Sequence, residues 1–83
     1  MQKYFVYIIY SLSKDRYYVG QTQDLEKRLA DHHSSRSKFT KQTKDWVLVY
    51  FEEFVTRSEA VKRELEIKSK KGRKYIEYLI AQR

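Results

Sequence analysis

Residues 4–10, YFVYIIY, decide the fold class. The run is short, rich in β-branched and aromatic residues, and apolar at odd and even positions alike. That pattern fits a strand buried on both faces, and therefore an interior strand. Residues 11–16, SLSKDR, read as a polar turn and residues 17–20, YYVG, as a second strand, so the two form a hairpin. Asp24 stands where it can cap a helix running to about Ser34. Residues 34–45, SSRSKFTKQTKD, are polar, basic and without period, as a loop would be; residues 46–54, WVLVYFEEF, read as a third strand. Thr56 and Glu59 make a T-x-x-E capping box for a second helix, from Ser58 to about Lys68. Residues 69–72 break it, and residues 73–82 form a third, amphipathic helix with Tyr75, Ile76, Leu79 and Ile80 facing inward. The order is ββαβαα. It lacks the βαβ alternation of a parallel sheet, so the expected fold class is a small α+β domain with an antiparallel sheet.

At 83 residues the chain is expected to form one domain over 1–83 with a modest core. It has no cysteine, which excludes disulfide staples, thiolate metal sites and thiol catalysis. No apolar run approaches the ~20 residues of a membrane span, and none at the N-terminus has the form of a signal peptide. The expectation is a cytoplasmic protein without a membrane partner. Eighteen basic residues against eleven acidic ones give a net charge of +7, which calls for a polyanionic partner, nucleic acid first among them. The charge is uneven: residues 33–50 carry a net +3 and residues 69–83 a net +4. The basic residues expected to meet nucleic acid are Arg36, Lys38, Lys41, Lys44, Lys68, Lys70, Lys71, Arg73 and Lys74.

Three polar residues fall where apolar ones belong. On the first helix Leu25, Leu29 and His32 lie within about 60° of arc, with Arg28 just beside them and one turn from His32. An Arg drawn inward needs an anion or a full set of hydrogen bonds. The alternatives are an Arg that snorkels past the core edge and a core His with a backbone partner. On the second helix Ala60, Val61, Leu65 and Ile67 define the apolar face, and Glu64 lies near its middle. A carboxylate there is ion-paired, protonated or metal-bound. A structural salt bridge to Arg28 is the plainer reading. On the strands, Tyr7 shares a face with Phe5 and Ile9, and Tyr18 with Gly20. Gly20 permits close approach of the backbone to a turn or to a ligand phosphate. There is no G-x-x-x-x-G-K-[ST] or G-x-G-x-x-G phosphate loop. The adjacent His32 and His33 splay apart on a helix, which disfavours a His-rich metal site.

V-Y-I-I at residues 6–9, Y-V-G at residues 18–20 and D-L-E-K-R-L-A-D-H at residues 24–32 resemble the GIY-YIG nuclease superfamily, most of all its small standalone bacterial branch. The stretch F-x-T-R-S-E-A-x-x-R-E-x-x-I-K at residues 54–68 is similar to that branch's third block. The resemblance covers nearly the whole chain. It implies a three-stranded antiparallel sheet flanked by helices and a divalent-metal-dependent endonuclease acting on DNA, in nicking or structure-selective cleavage for repair or recombination. By position it implies catalytic roles for Tyr7, Tyr18, Arg28 and His32, a backbone role for Gly20, and a Mg²⁺ or Mn²⁺ ion on Glu64. In that scheme positive charge activates Tyr7 to take a proton from the attacking water, Tyr18 positions water or phosphate, and Arg28 holds phosphoryl oxygens. Phe5 stands where larger members open the motif with Gly, and the Asn that closes it in larger members is missing, since the chain has no Asn. Two other functions fit the charge: a DNA- or RNA-binding module with little catalysis, and an accessory domain that needs a protein partner.

Overall fold

A computed structural model describes residues 2–33, 44–70 and 72–82. The elements are β1 (Tyr4–Ser11), β2 (Arg16–Thr22), α1 (Leu25–His33), β3 (Trp46–Phe54), α2 (Arg57–Ser69) and α3 (Lys74–Ala81), an α+β fold in the expected order ββαβαα. The three strands form one antiparallel sheet in the order β2-β1-β3, so the run that is apolar on both faces is the central strand. Pairing extends the hairpin further than the sequence pattern did. Ser11 pairs with Arg16, and only residues 12–15 turn the chain. Asp15 takes a positive φ of 51° there, a conformation that Asp tolerates better than most residues. Asp45 fixes the turn from outside, accepting from Ser11 Oγ at 2.6 Å and from the Ser13 amide at 2.8 Å.

The sheet is covered on both faces. Val6, Ile8 and Val19 pack with Ala60, Ile67 and Leu79, which puts α2 and α3 over one face. Tyr7, Ile9 and Trp46 pack with Leu25 and Leu29, which puts α1 over the other. A bulge in β3 makes this possible. Ile8 pairs with Tyr50 but Ile9 pairs with Leu48, so Val49 is the extra residue. Strict alternation would place Trp46, Leu48, Tyr50, Glu52 and Phe54 on a single face. The bulge sends Trp46 and Leu48 towards α1 and Tyr50, Glu52 and Phe54 towards α2 and α3.

The helix ends follow their caps. Asp24 Oδ1 accepts from the Lys27 amide at 3.0 Å and opens α1. Thr56 Oγ1 accepts from the Glu59 amide at 3.2 Å and opens α2, while its hydroxyl donates to Glu59 Oε1 at 3.0 Å. Gly72, at a φ of 80°, lets the chain turn between α2 and α3. On α3 Leu79 is buried and Tyr75, Ile76 and Ile80 are half-buried, the face expected.

The apolar face assigned to α2 is corrected. Ala60 and Ile67 are buried, but Leu65 is 62% exposed and Val61 37%. The helix is turned so that Arg63 and Glu64 are half-buried instead. Arg63 accounts for part of that rotation. Its Nε and Nη2 donate to Glu52 at 2.9 and 3.0 Å and its Nη1 to Tyr75 Oη at 3.1 Å and Glu66 at 2.9 Å, with Tyr50 Oη also bonded to Glu52. Burial opposes the Glu52 charge, but the bonds from Arg63 and Tyr50 outweigh it and hold that carboxyl below its ordinary range.

Candidate active site

Tyr7 is the hub. Strand pairing sets it directly opposite Gly20, and alternation points its ring towards α1. The phenol end lies over Gly20. A Cβ on Gly20 would stand 2.7 Å from Tyr7 Oη, 2.9 Å from Cζ and 3.1 Å from a ring carbon of Tyr18. Gly20 has no positive φ, so neither a turn nor backbone strain explains it. Its missing side chain is the space that Tyr7 fills.

Two residues of α1 close on that hydroxyl. Arg28 Nε donates to Tyr7 Oη at 3.3 Å, and Tyr7 Oη stands 2.9 Å from His32 Nε2. Both come from the one-turn spacing on α1 that brings Arg28 and His32 to the same side. Tyr18 completes the cluster, its ring 6.3 Å from that of Tyr7 and 5.2 Å, edge-on, from that of His32. Arg28 also bonds Tyr18 and stands 3.7 Å from Asp31. Arg28 therefore neither snorkels away nor pairs with Glu64.

Burial and charge set the protonation of His32. His32 is fully buried; burial first, and then the Arg28 charge, pull its pKa down to about 4. It is neutral at pH 7. Arg28 can only donate, and a neutral His32 with its proton on Nδ1 accepts at Nε2. In the Nδ1–H tautomer of His32 the order runs Arg28 Nε–H to Tyr7 Oη–H to His32 Nε2. Burial pushes Tyr7 up to about 12; the Arg28 bond opposes this, while Tyr18 and Glu64 reinforce it. The expected activation of Tyr7 by positive charge is thus outweighed here by burial. Burial also opposes the Arg28 charge, but the bonds to Tyr7 and Tyr18 hold its pKa above the ordinary value.

Glu64 comes from α2, across the sheet from α1, yet its charge bears on Tyr7. Its side chain is only 19% exposed, and it pairs with Lys68 at 2.6 Å. α2 forgoes burial of Leu65 and much of Val61 to keep Glu64 and Arg63 inward. Among the described residues no three His, Cys, Asp or Glu side chains are grouped to hold a metal. A lone carboxylate does not make a zinc-type cage. It suits Mg²⁺ or Mn²⁺, which bind through one or two carboxylates, waters and substrate phosphate.

The expected basic surface is divided. Arg36, Lys38, Lys41 and Lys71 lie outside the described residues. Lys44, Lys70 and Lys74 are exposed. Lys70 also lies 5.6 Å over the Tyr75 ring. Lys68 is engaged by Glu64. Arg73 bonds Asp15 at 2.9 Å and Glu77 at 3.3 Å and lies 5.0 Å over the Tyr17 ring, tying α3 to the β1–β2 turn. Sequence reasoning missed the Glu52–Arg63 pair, although Glu52 sits in a strand otherwise almost wholly apolar, which was the available signal.

The family model of the GIY-YIG catalytic domain matches residues 3–76. The chain belongs to the GIY-YIG family. The family is a nuclease superfamily, so binding to nucleic acid goes with the domain. The chain is 41% identical over 70 residues to a UPF0213 protein of Staphylococcus haemolyticus, covering 83% of this chain and 84% of that one. It is 37% identical over 79 residues to a UPF0213 protein of Listeria monocytogenes, covering 94% of this chain and 87% of the relative. The solution NMR structure of a UPF0213 protein from Bacillus halodurans superposes with a TM-score of 0.63 at 28% identity, over 98% of this chain and 85% of that one. No described helix of this GIY-YIG domain is long and apolar enough to cross a membrane.

Proposed function

We propose that this GIY-YIG domain is a DNA endonuclease that depends on Mg²⁺ or Mn²⁺, hydrolysing a phosphodiester at the Tyr7–Tyr18–Arg28–His32 cluster with Glu64 as the metal ligand. The carrying observation is the hydrogen-bonded line from Arg28 through Tyr7 to a buried neutral His32, with Gly20 emptied of a side chain to admit it. A core tyrosine needs none of this; one bond to backbone or water would satisfy it.

Each group has a task. Arg28 brings a guanidinium to the cluster, whose charge meets the negative charge that builds on the phosphoryl oxygens in the transition state. Tyr7 Oη takes the proton of an attacking water while its own passes to His32 Nε2. After burial, the Arg28 charge is the next cause that holds the His32 pKa down; a phosphate beside Arg28 offsets that part, so substrate binding makes His32 a better acceptor. Tyr18 borders the same space and orients water or phosphate. The ion on Glu64, when bound, supplies Lewis-acid polarisation of the phosphoryl oxygen. Exposed Lys44, Lys70 and Lys74 would meet the DNA backbone, a contact that carries no base sequence, so the target is selected by DNA structure, as in repair or recombination.

Supercoiled plasmid and branched DNA, each incubated in Mg²⁺ and in Mn²⁺, test this directly. Cleavage by the wild-type protein that Glu64→Ala and Arg28→Ala lose is the expected result. Undiminished cleavage by either variant would sink the assignment of the site. Salt-sensitive DNA binding without cleavage in either metal would make the domain a binding module.

A further inference from the structure

Glu64 is a carboxylate already in use. Lys68, one turn further along α2, places its Nζ 2.6 Å from Oε2. Among the described residues Lys68 is the partner Glu64 has. The pair is lopsided. The carboxylate is mostly covered, at 19% exposure, and its charge bears on Tyr7, while the lysine side chain is 48% exposed. A second cation on that carboxylate would be repelled by the ammonium already there.

We propose that Lys68 holds the Glu64 carboxylate as a built-in cation that a divalent ion must displace, so that Lys68 sets the metal affinity of the site. This rests on the reading of Glu64 as the metal ligand. The metal-free site is then electrically balanced, and α2 keeps an inward carboxylate without an unpaired buried charge. Displacement frees an ammonium on a four-carbon stem anchored one turn from the site. A DNA phosphate is the natural new partner for it. Metal and DNA then favour one another's binding: whichever draws Lys68 from Glu64 removes a cost the other would meet, and the coupling is reciprocal.

Mn²⁺ binding to the intact chain without DNA, followed by calorimetry, tests this with Lys68→Ala, Lys68→Arg and Glu64→Gln beside wild type. Lys68→Ala should bind Mn²⁺ roughly three- to fivefold more tightly, the scale of an exposed ion pair removed. Lys68→Arg keeps the cation and should bind as wild type does, and Glu64→Gln should lose the site. Equal affinity of Lys68→Ala and wild type, with Glu64→Gln silent, would overturn the role of Lys68 and leave the metal site standing. Tighter binding by both Lys68→Ala and Lys68→Arg would overturn it too, since the charge would not be the cause. Mn²⁺ bound by Glu64→Gln as by wild type would remove the metal reading, and this inference with it.

Discussion

A methyl group on Gly20 would stand 2.7 Å from the hydroxyl of Tyr7, the residue paired with it across the hairpin. Tyr7 is 1% exposed, and its hydroxyl is bonded to Arg28 and His32, so it cannot swing away to make room. Gly20→Ala should therefore cost about 1–3 kcal/mol, the range of an overpacked core. It should also cost activity out of proportion to stability, because the strain falls on the hydroxyl proposed to take the proton of the attacking water. Urea unfolding beside plasmid cleavage at a temperature where the variant is folded would separate the two. A variant as stable and as active as wild type would show that Tyr7 does not need the space.

The Tyr7 hydroxyl itself is the next target. Tyr7→Phe keeps the ring and its packing but takes away the acceptor of Arg28 and the hydroxyl bonded to the fully buried His32. The loss to stability should be about 1–3 kcal/mol, the cost of a buried polar group deprived of its partner. Cleavage should fall at least a hundredfold, the lower end of what general acid–base groups supply. Tyr18→Phe, which leaves the Arg28–Tyr7–His32 line intact, should lose less. If Tyr7→Phe cleaves DNA at the wild-type rate, the proton route does not run through Oη.

Stability should depend on pH through His32. Its pKa is about 4 in the folded protein against an ordinary 6.5. Below pH 6.5 the unfolded chain takes up a proton that the folded protein refuses, so stability is full above pH 6.5 and is lost as pH falls towards 4. A shift of this size corresponds to about 3 kcal/mol over that window. Tyr7 acts at the other end: its pKa of about 12 exceeds the ordinary 10, so its contribution is lost as pH rises from 10 to 12. Denaturation midpoints from pH 4 to 7 for wild type and His32→Asn check the first claim. The acid-side slope should flatten in the variant, and a parallel pair of curves would refute the assignment.

Strand and helix order, the central place of β1 and the two amphipathic faces of α1 and α3 were legible because each rests on local pattern. What was not legible depends on contacts between elements. Nothing in WVLVYFEEF marks Val49 as a bulge, since apolar residues stand at odd and even positions and either register buries something. Val61 and Leu65 outvote Glu64 in any helical projection, yet α2 faces the sheet with Ala60, Ile67 and the Arg63 and Glu64 stems. The candidate site residues were visible as misplaced polar groups or through the family resemblance. Their wiring was not: that His32 meets Tyr7, and that the space left by Gly20 is filled by Tyr7, follows only from the pairing of β1 with β2 and the packing of α1 on both.

The Glu52–Arg63 pair gives a contrasting prediction, because it joins β3 to α2 away from the Tyr7 cluster. Both side chains are mostly covered, at 22% and 19% exposure, and Arg63 also holds Tyr75 of α3. Removing one partner leaves the other charge poorly solvated. Glu52→Ala should therefore destabilise the domain by about 2–4 kcal/mol, near the lower end for a broken buried pair. The double replacement Glu52→Leu with Arg63→Met should recover much of that loss, since packed apolar side chains replace such a pair at little cost. Cleavage per folded molecule should fall far less in both than in Glu64→Ala, because neither residue touches Tyr7, Arg28 or His32, although Arg63 helps to turn Glu64 inward. Thermal unfolding beside cleavage at 20 °C or so decides it. A stable Glu52→Ala variant that has lost cleavage would instead draw this pair into the active site.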